Sequence, residues 1–145
     1  MKETYRGTVY PWHCDHMGHM NVQHYAAKFD EATWQLFGDI GLTPDYLKMN
    51  GRGMVAVNQK TEYRAELLPG DLIVIASEIV NISRKSLVFR HIMKKCPAQQ
   101  IVAETELVGV HIDTDSRKSC DFCREIYDRI RNALEESTHG VDQTN

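Results

Sequence analysis

The sequence predicts an α+β fold: one antiparallel sheet of five strands with a long helix lying on it, and a further helix closing the chain. Three observations predict it. An apolar stripe at helical spacing runs from Tyr25 to Phe37. β-rich runs then follow one another with only short turns between them, which favours antiparallel pairing. The C-terminal segment places Phe122, Ile126, Ile130 and Leu134 four residues apart, as an amphipathic helix does. A sheet with one apolar face buries that face under a helix.

Taken in order, Thr8 to Trp12 is β-rich and reads as the first strand, and His13 to Gly18 as a loop. From Val22, residues Tyr25, Phe29, Ala32, Leu36 and Phe37 line up on one helical face. Asn21 suits the N-cap because its side-chain oxygen accepts from a free N–H. Gly38 and Gly41 end the helix. Thr43 and Pro44 open a second, short helix through Lys48. Met54 to Tyr63 is the second strand, and Leu68-Pro69-Gly70-Asp71 a turn. Leu72 to Ile82 is a long, β-branched strand. Ser83-Arg84-Lys85 joins it to Ser86–Lys94, Pro97-Ala98 turns the chain again, and Gln100 to Asp113 is the last strand. The expected domain is 1–136, with a polar, frayed tail over 137–145.

Composition bounds the function. A chain of 145 residues fits one domain with a real core. With 42% apolar and 26% charged residues it reads as a soluble globular protein. A net charge of −3 argues against nucleic acid as a general partner. Met1 to Gly7 lacks an apolar signal core, and no apolar run is long enough to span a membrane. The expected location is therefore the cytoplasm, with Cys14, Cys96, Cys120 and Cys123 as reduced thiols. Cys120 to Cys123 is a lone CxxC, half of what a zinc site needs, and reads as two small residues at the start of a helix, with a redox motif as the weaker alternative.

Reactive side chains are densest between the first strand and the long helix. Four of the seven histidines, His13, His16, His19 and His24, fall there with Cys14 and Asp15. Three readings present themselves. A metal site would use His13, His16 and His19, but Gly18 and the change from strand to helix speak against the helix that would align them. A Cys14 nucleophile would need a neighbouring histidine as base, yet adjacent strand residues point to opposite faces. The favoured reading is carboxylate chemistry. Asp15 stands beside the helix N-terminus, whose free N–H groups stabilise an oxygen gaining charge. Asn21, His19 and His24 would then orient water or substrate. No GxSxG elbow and no phosphate loop appears, and Gly51-Arg52-Gly53 is neither a P-loop nor a dinucleotide fingerprint.

Asp15-His16-Met17-Gly18-His19-Met20-Asn21, followed by Tyr25, resembles the D-x-x-G-H-M-N-x-x-x-Y signature of the hotdog-fold thioesterases, the 4-hydroxybenzoyl-CoA thioesterase-like superfamily. Its Gly-His-Met-Asn wording is nearest the branch that includes betainyl-CoA thioesterases, and a looser form occurs in acyl-carrier-protein thioesterases. Glu62 to Asp71 resembles the family's second-strand exit and Gly-Asp turn, and His111-Ile112-Asp113 to Lys118 the end of its last strand. The resemblance covers about residues 5–135.

It implies a hotdog fold, the sheet wrapping the long helix, and hydrolysis of a short- to medium-chain acyl-CoA to free acid and CoA. Asp15 would be nucleophile or general base, and the Val22 N–H would polarise the carbonyl oxygen. His19 and Asn21 would assist, while Tyr25 and His24 would contact substrate. Relatives that carry a histidine at the Val22 position find no counterpart here. CoA phosphates need cations, for which Arg84, Lys85, Arg90, Arg117 and Lys118 are candidates, each otherwise a solvated surface charge. Some relatives place a carboxylate on the long helix, which makes Asp30 a candidate, whereas Glu31 fits an exposed face. Trp34, Phe37, Met54 and Phe89 are candidates for limiting acyl length. No cofactor and no metal is implied, and the unit would be a homodimer or a homotetramer. Two alternatives stand beside this. A hotdog hydratase or dehydratase would use His19 or His24 as its base in place of Asp15. A non-catalytic acyl-CoA-binding domain would turn nothing over.

Overall fold

The computed structural model describes residues 1–139. They form β1 (Lys2–Thr8), a 3-10 turn (Pro11–His13), α1 (Val22–Asp39), α2 (Pro44–Met49), β2 (Arg52–Tyr63), β3 (Leu72–Ile82), β4 (Ser86–Cys96), β5 (Gln100–Asp113) and α3 (Arg124–His139). The strands make one antiparallel sheet in the order β1-β3-β4-β5-β2. The expected α+β architecture is therefore present. β2 does not pair with β3, its successor in the chain. It runs along the far edge beside β5, so the chain crosses the sheet between them.

α1 forms where the stripe places it. Asn21 takes an extended conformation, and its side-chain oxygen accepts the Gln23 N–H at 3.1 Å. Tyr25, Phe29, Ala32, Leu36 and Phe37 are buried on the sheet side. The helix closes where the Leu42 N–H reaches back to the Phe37 carbonyl at 2.8 Å. Lys28, also buried, ties α1 to β1 by donating to the Tyr5 hydroxyl at 3.1 Å.

Several boundaries differ from expectation. The first strand is Lys2–Thr8, not Thr8 to Trp12. It is an edge strand, so Lys2, Glu3 and Arg6 stay exposed while Thr4 is buried against β3. Pro11 cannot donate to a ladder and instead opens the 3-10 turn. β2 begins at Arg52, and β4 extends to Cys96. Phe122 precedes α3, although it packs into the same core as Ile126 and Ile130. The tail expected from Ser137 is helical through His139, the Ser137 and Thr138 hydroxyls donating to the carbonyls of Ala133 and Leu134; residues 140–145 lie outside the described region.

A polar chain threads the centre of the sandwich. Thr33 Oγ1 donates to the Phe29 carbonyl at 2.9 Å and stands 2.9 Å from His91 Nε2. His91 Nδ1 meets Ser77 Oγ, which lies 2.6 Å from Thr4 Oγ1. With Nε2 protonated and Nδ1 accepting, this set suits a neutral imidazole. Burial pushes His91 down from 6.5 to about 4. A folded value below the unfolded one means that protonation favours unfolding. The stability is complete above the unfolded value and is lost as pH falls through the folded one, a difference of roughly 3 kcal/mol. The urea midpoint is accordingly expected to fall between pH 6.5 and about 4, and to fall less steeply in His91→Gln. An equal slope in both proteins would assign the acid sensitivity elsewhere.

Candidate active site

The segment over residues 13–21 closes on itself. Cys14 and Met20 form a β-bridge, and the Asp15 N–H donates to the His19 carbonyl at 3.2 Å. The Gly18 N–H returns to the Asp15 carbonyl at 3.0 Å with φ of 85°, a left-handed conformation that glycine adopts without strain. The Met20 N–H bonds the Leu67 carbonyl, and the Val9 N–H bonds the Asp71 carbonyl, both at 2.8 Å. These ties hold the loop to the end of the sheet where β3 begins.

Asp15 sits inside this ring. One carboxylate oxygen accepts the Met17 N–H at 2.9 Å, and the other accepts the Asn21 side-chain amide at 2.9 Å. The Asn21 bond, then the Met17 bond, hold its carboxyl below the usual aspartate value, with a smaller attraction from His19 and His16. Asn21 thus has two roles, its oxygen capping α1 while its amide holds Asp15. The N–H groups of Met20, Asn21, Gln23 and His24 all have protein acceptors. Val22, the first residue of α1, has none among the described residues. Its N–H is a free donor at the positive end of the helix.

The other expected site residues are placed unequally. His19 borders the loop, its Nε2 3.8 Å from Glu66. The His24 ring lies 4.8 Å from that of His13. Tyr25 is buried, edge-on to Tyr63 at 5.2 Å, with its hydroxyl directed at the Ala65 carbonyl at 3.4 Å. Burial pushes its phenol up to about 12. The Tyr25 ring therefore braces the start of α1 against the exit of β2. His13, His16 and His19 do not converge, and no group of three possible metal ligands stands together among the described residues.

Arg84 and Lys85 are not beside Asp15 within this chain. They follow β3, an 11-residue strand, and so stand roughly 35 Å from the end that holds the Asp15 loop. Arg84 pairs with Asp121 at 2.6 Å. Arg117 and Lys118 belong to the same distal end, since the Asp113 N–H bonds the Lys118 carbonyl and the His111 N–H the Lys85 carbonyl. Arg90 pairs with Glu78 across the sheet.

A cavity of about 160 Å³ lies between α1 and the β2–β5 edge. Trp34, Phe37, Met54 and Phe89 all line it. Asp30 faces it too, whereas Glu31 does not. Gly109 forms part of its floor, where an added Cβ would stand 3.2 Å from Met54 and 3.4 Å from Phe89. Two elements were not singled out in the sequence. The Met17 N–H contact is signalled by an Asx turn, since an aspartate often accepts the N–H two residues on. Gln59, which lines the cavity, carries no local signal.

Residues 9–130 match the family model described as the thioesterase-like superfamily. The chain is 24% identical over 127 residues to a betainyl-CoA thioesterase of Pseudomonas aeruginosa, covering 88% of this chain and 80% of that one. It is 24% identical over 119 residues to the long-chain acyl-CoA thioesterase FadM of Escherichia coli, covering 82% and 89%. Among solved structures, a hypothetical Staphylococcus aureus protein in complex with CoA superposes with a TM-score of 0.86 at 20% identity, over 93% of this chain and 87% of the other. A DHNA-CoA thioesterase from the same species superposes with a TM-score of 0.85 at 12% identity, over 97% and 96%. At these identities the structural likeness establishes the hotdog fold.

Proposed function

The chain belongs to the thioesterase-like superfamily, and from that premise we propose that it hydrolyses short- to medium-chain acyl-CoA to free acid and CoA, with Asp15 as the catalytic carboxylate. The observation that carries this reading is the pairing of an ionised Asp15 with the free Val22 N–H at one helix start. The N–H receives the thioester oxygen as charge gathers on it. Asp15 either takes the proton of a water that attacks the carbonyl carbon, or attacks that carbon itself to give an anhydride that water then cleaves to the free acid; in both routes the C–S bond breaks and the CoA thiolate leaves, to be protonated in turn. Asn21 holds the carboxylate in place, and His19 borders the water's approach. His24 packs on His13 rather than on a carboxylate, and His19 stands 3.8 Å from Glu66, a carboxylate that lies outside α1.

The cavity along α1 takes the acyl group. At about 160 Å³ it resembles the 150 Å³ or so that holds a benzene, a size that favours short groups. Thiol release across a panel of acyl-CoAs of rising length tests this. Turnover greatest for acyl groups of about six carbons or fewer supports the reading; no turnover on any acyl-CoA overturns it.

β2 is a 12-residue edge strand with Val55 and Val57 exposed. Such an edge invites pairing with another strand. Two copies joined by a two-fold axis run their β2 edges antiparallel. β2 starts at the Arg52–Asp113 pair and ends beside Tyr25. The pairing therefore carries the Arg84–Lys85 and Arg117–Lys118 turns of a second copy towards the Asp15 end of the first, where CoA phosphates need cations. Val57→Lys is expected to weaken the dimer by about 10²-fold or more, because a buried, unpaired charge costs several kcal/mol, and to lower hydrolysis with it. A fully active monomer in sedimentation would overturn this arrangement.

A further inference from the structure

The strand register gives the cavity along α1 a near end and a far end. β2 and β5 run antiparallel, and β2 reaches the Tyr25 end of α1 at Tyr63. Gln59 and Leu107, a register pair, line the cavity on that side. Ala56 and Gly109 form the next lining pair, and Met54 lines it further from Tyr63 still. On α1 the lining runs in the same direction, from Ala26 to Phe37. Phe37, Met54 and Gly109 therefore close the end remote from the Val22 N–H, and the Phe89 ring leans against Gly109.

The residues of that wall differ in stiffness. Phe37 and Phe89 are buried and pack on each other at 5.3 Å and 69°. Close-packed rings of this kind do not yield without loss of contact all round. Met54 is half-buried on an edge strand, and its unbranched thioether adapts to its surroundings. Gly109 supplies the seat. A Cβ there would stand 3.2 Å from Met54 Cε, 3.4 Å from Phe89 Cε1 and 3.9 Å from Phe37 Cζ. The Met54 methyl thus rests against a bare stretch of backbone. An alanine at 109 narrows the cavity by its own methyl and by displacing the Met54 tip, because Phe89 is held. Truncation of Met54 has the opposite effect and takes the wall away.

Resting on the reading of this cavity as the acyl site, we propose that Met54, seated on Gly109, is the residue that sets the longest acyl chain the protein accepts. Its side chain beyond Cβ stands where about three further methylenes of a longer chain would lie. Phe37 and Phe89 fix the position of the wall, and Met54 fixes its depth.

The test measures kcat/KM over a series of straight-chain acyl-CoAs of rising length. In Met54→Ala the upper limit is expected to move out by about three carbons. The ratio of kcat/KM for the first chain beyond the wild-type limit to that for the best wild-type substrate rises about tenfold or more, the scale of a methylene in an apolar pocket. Gly109→Ala moves the limit inward by about one carbon or more, and Met54→Phe does the same without touching the glycine. The double variant Gly109→Ala/Met54→Ala recovers the wild-type limit or exceeds it, since the added methyl no longer meets Cε. An unmoved limit in Met54→Ala overturns the proposal. So does a Met54→Ala protein that loses kcat/KM by one factor at every length, which marks lost packing and not a lost wall. If the wild type hydrolyses no acyl-CoA, that counts against the hydrolase reading itself. Calorimetric binding of the same series to the wild type and to Met54→Ala then reads the limit, and identical length profiles overturn the proposal.

Discussion

Asp15→Asn is expected to lower kcat by about 10²–10⁴-fold, the usual scale for loss of a positioned base or nucleophile, with acyl-CoA affinity kept within about threefold. Asparagine has the same shape and still accepts the Met17 N–H. It has no charge to attack carbon or to take a proton from water. Its amide would oppose the Asn21 amide, and Asn21 cannot turn over without giving up the cap on Gln23. That conflict lies in a half-buried surface loop outside the core and costs little stability. kcat and kcat/KM should therefore fall together, which marks an interaction made in the transition state. Steady-state thiol release gives the first quantity, and calorimetry with a slowly turned-over acyl-CoA gives the affinity.

Val22→Pro is the second large effect, expected to cost about 10²–10³-fold in kcat, as removal of one oxyanion donor does. Proline removes the one N–H that the reading requires. The backbone accepts it. Val22 is the first helical residue, where proline is favoured, and Asn21 already has φ of −70° and ψ of 148°, the conformation that a residue before proline needs. The side chain is 57% exposed, so no core contact is lost. An unchanged melting temperature with a collapsed kcat is the expected pair of results. Unchanged kcat would show that the thioester oxygen is held elsewhere.

Much of the fold was legible in the sequence because its elements carry strong periodic or punctuating signals. The stripe from Tyr25 to Phe37, the Thr43-Pro44 start and the bounds Leu72–Ile82 and Gln100–Asp113 agree with the structure. β1 was misplaced because an edge strand with Lys2, Glu3 and Arg6 facing outward resembles a polar terminus, whereas Tyr10 to Trp12 looks strand-like until Pro11 is weighed as a non-donor. The pairing of β2 with β5 was not legible, because local pattern does not say which strand lies beside which.

The site divides in the same way. Asp15 and Asn21 were readable from residue type, and the structure joins them by a 2.9 Å hydrogen bond just before α1. The role of the Val22 N–H rested on resemblance, since a backbone donor leaves no trace in the side chain. Tyr25 kept its place in the motif, but its ring serves packing at the strand exit. Arg84 and Lys85 illustrate the limit of composition. A basic pair is visible in one dimension, while its distance from Asp15 depends on the length of β3 and on the order of the strands.

The most direct measurement is single-turnover thiol release from one short acyl-CoA by wild-type protein and Asp15→Asn in parallel, with binding of the same thioester followed for both. Rapid release by the wild type and retained binding without release by the variant is the result expected of a carboxylate that acts on the thioester carbonyl. Equal rates in the two proteins would contradict a catalytic role for Asp15.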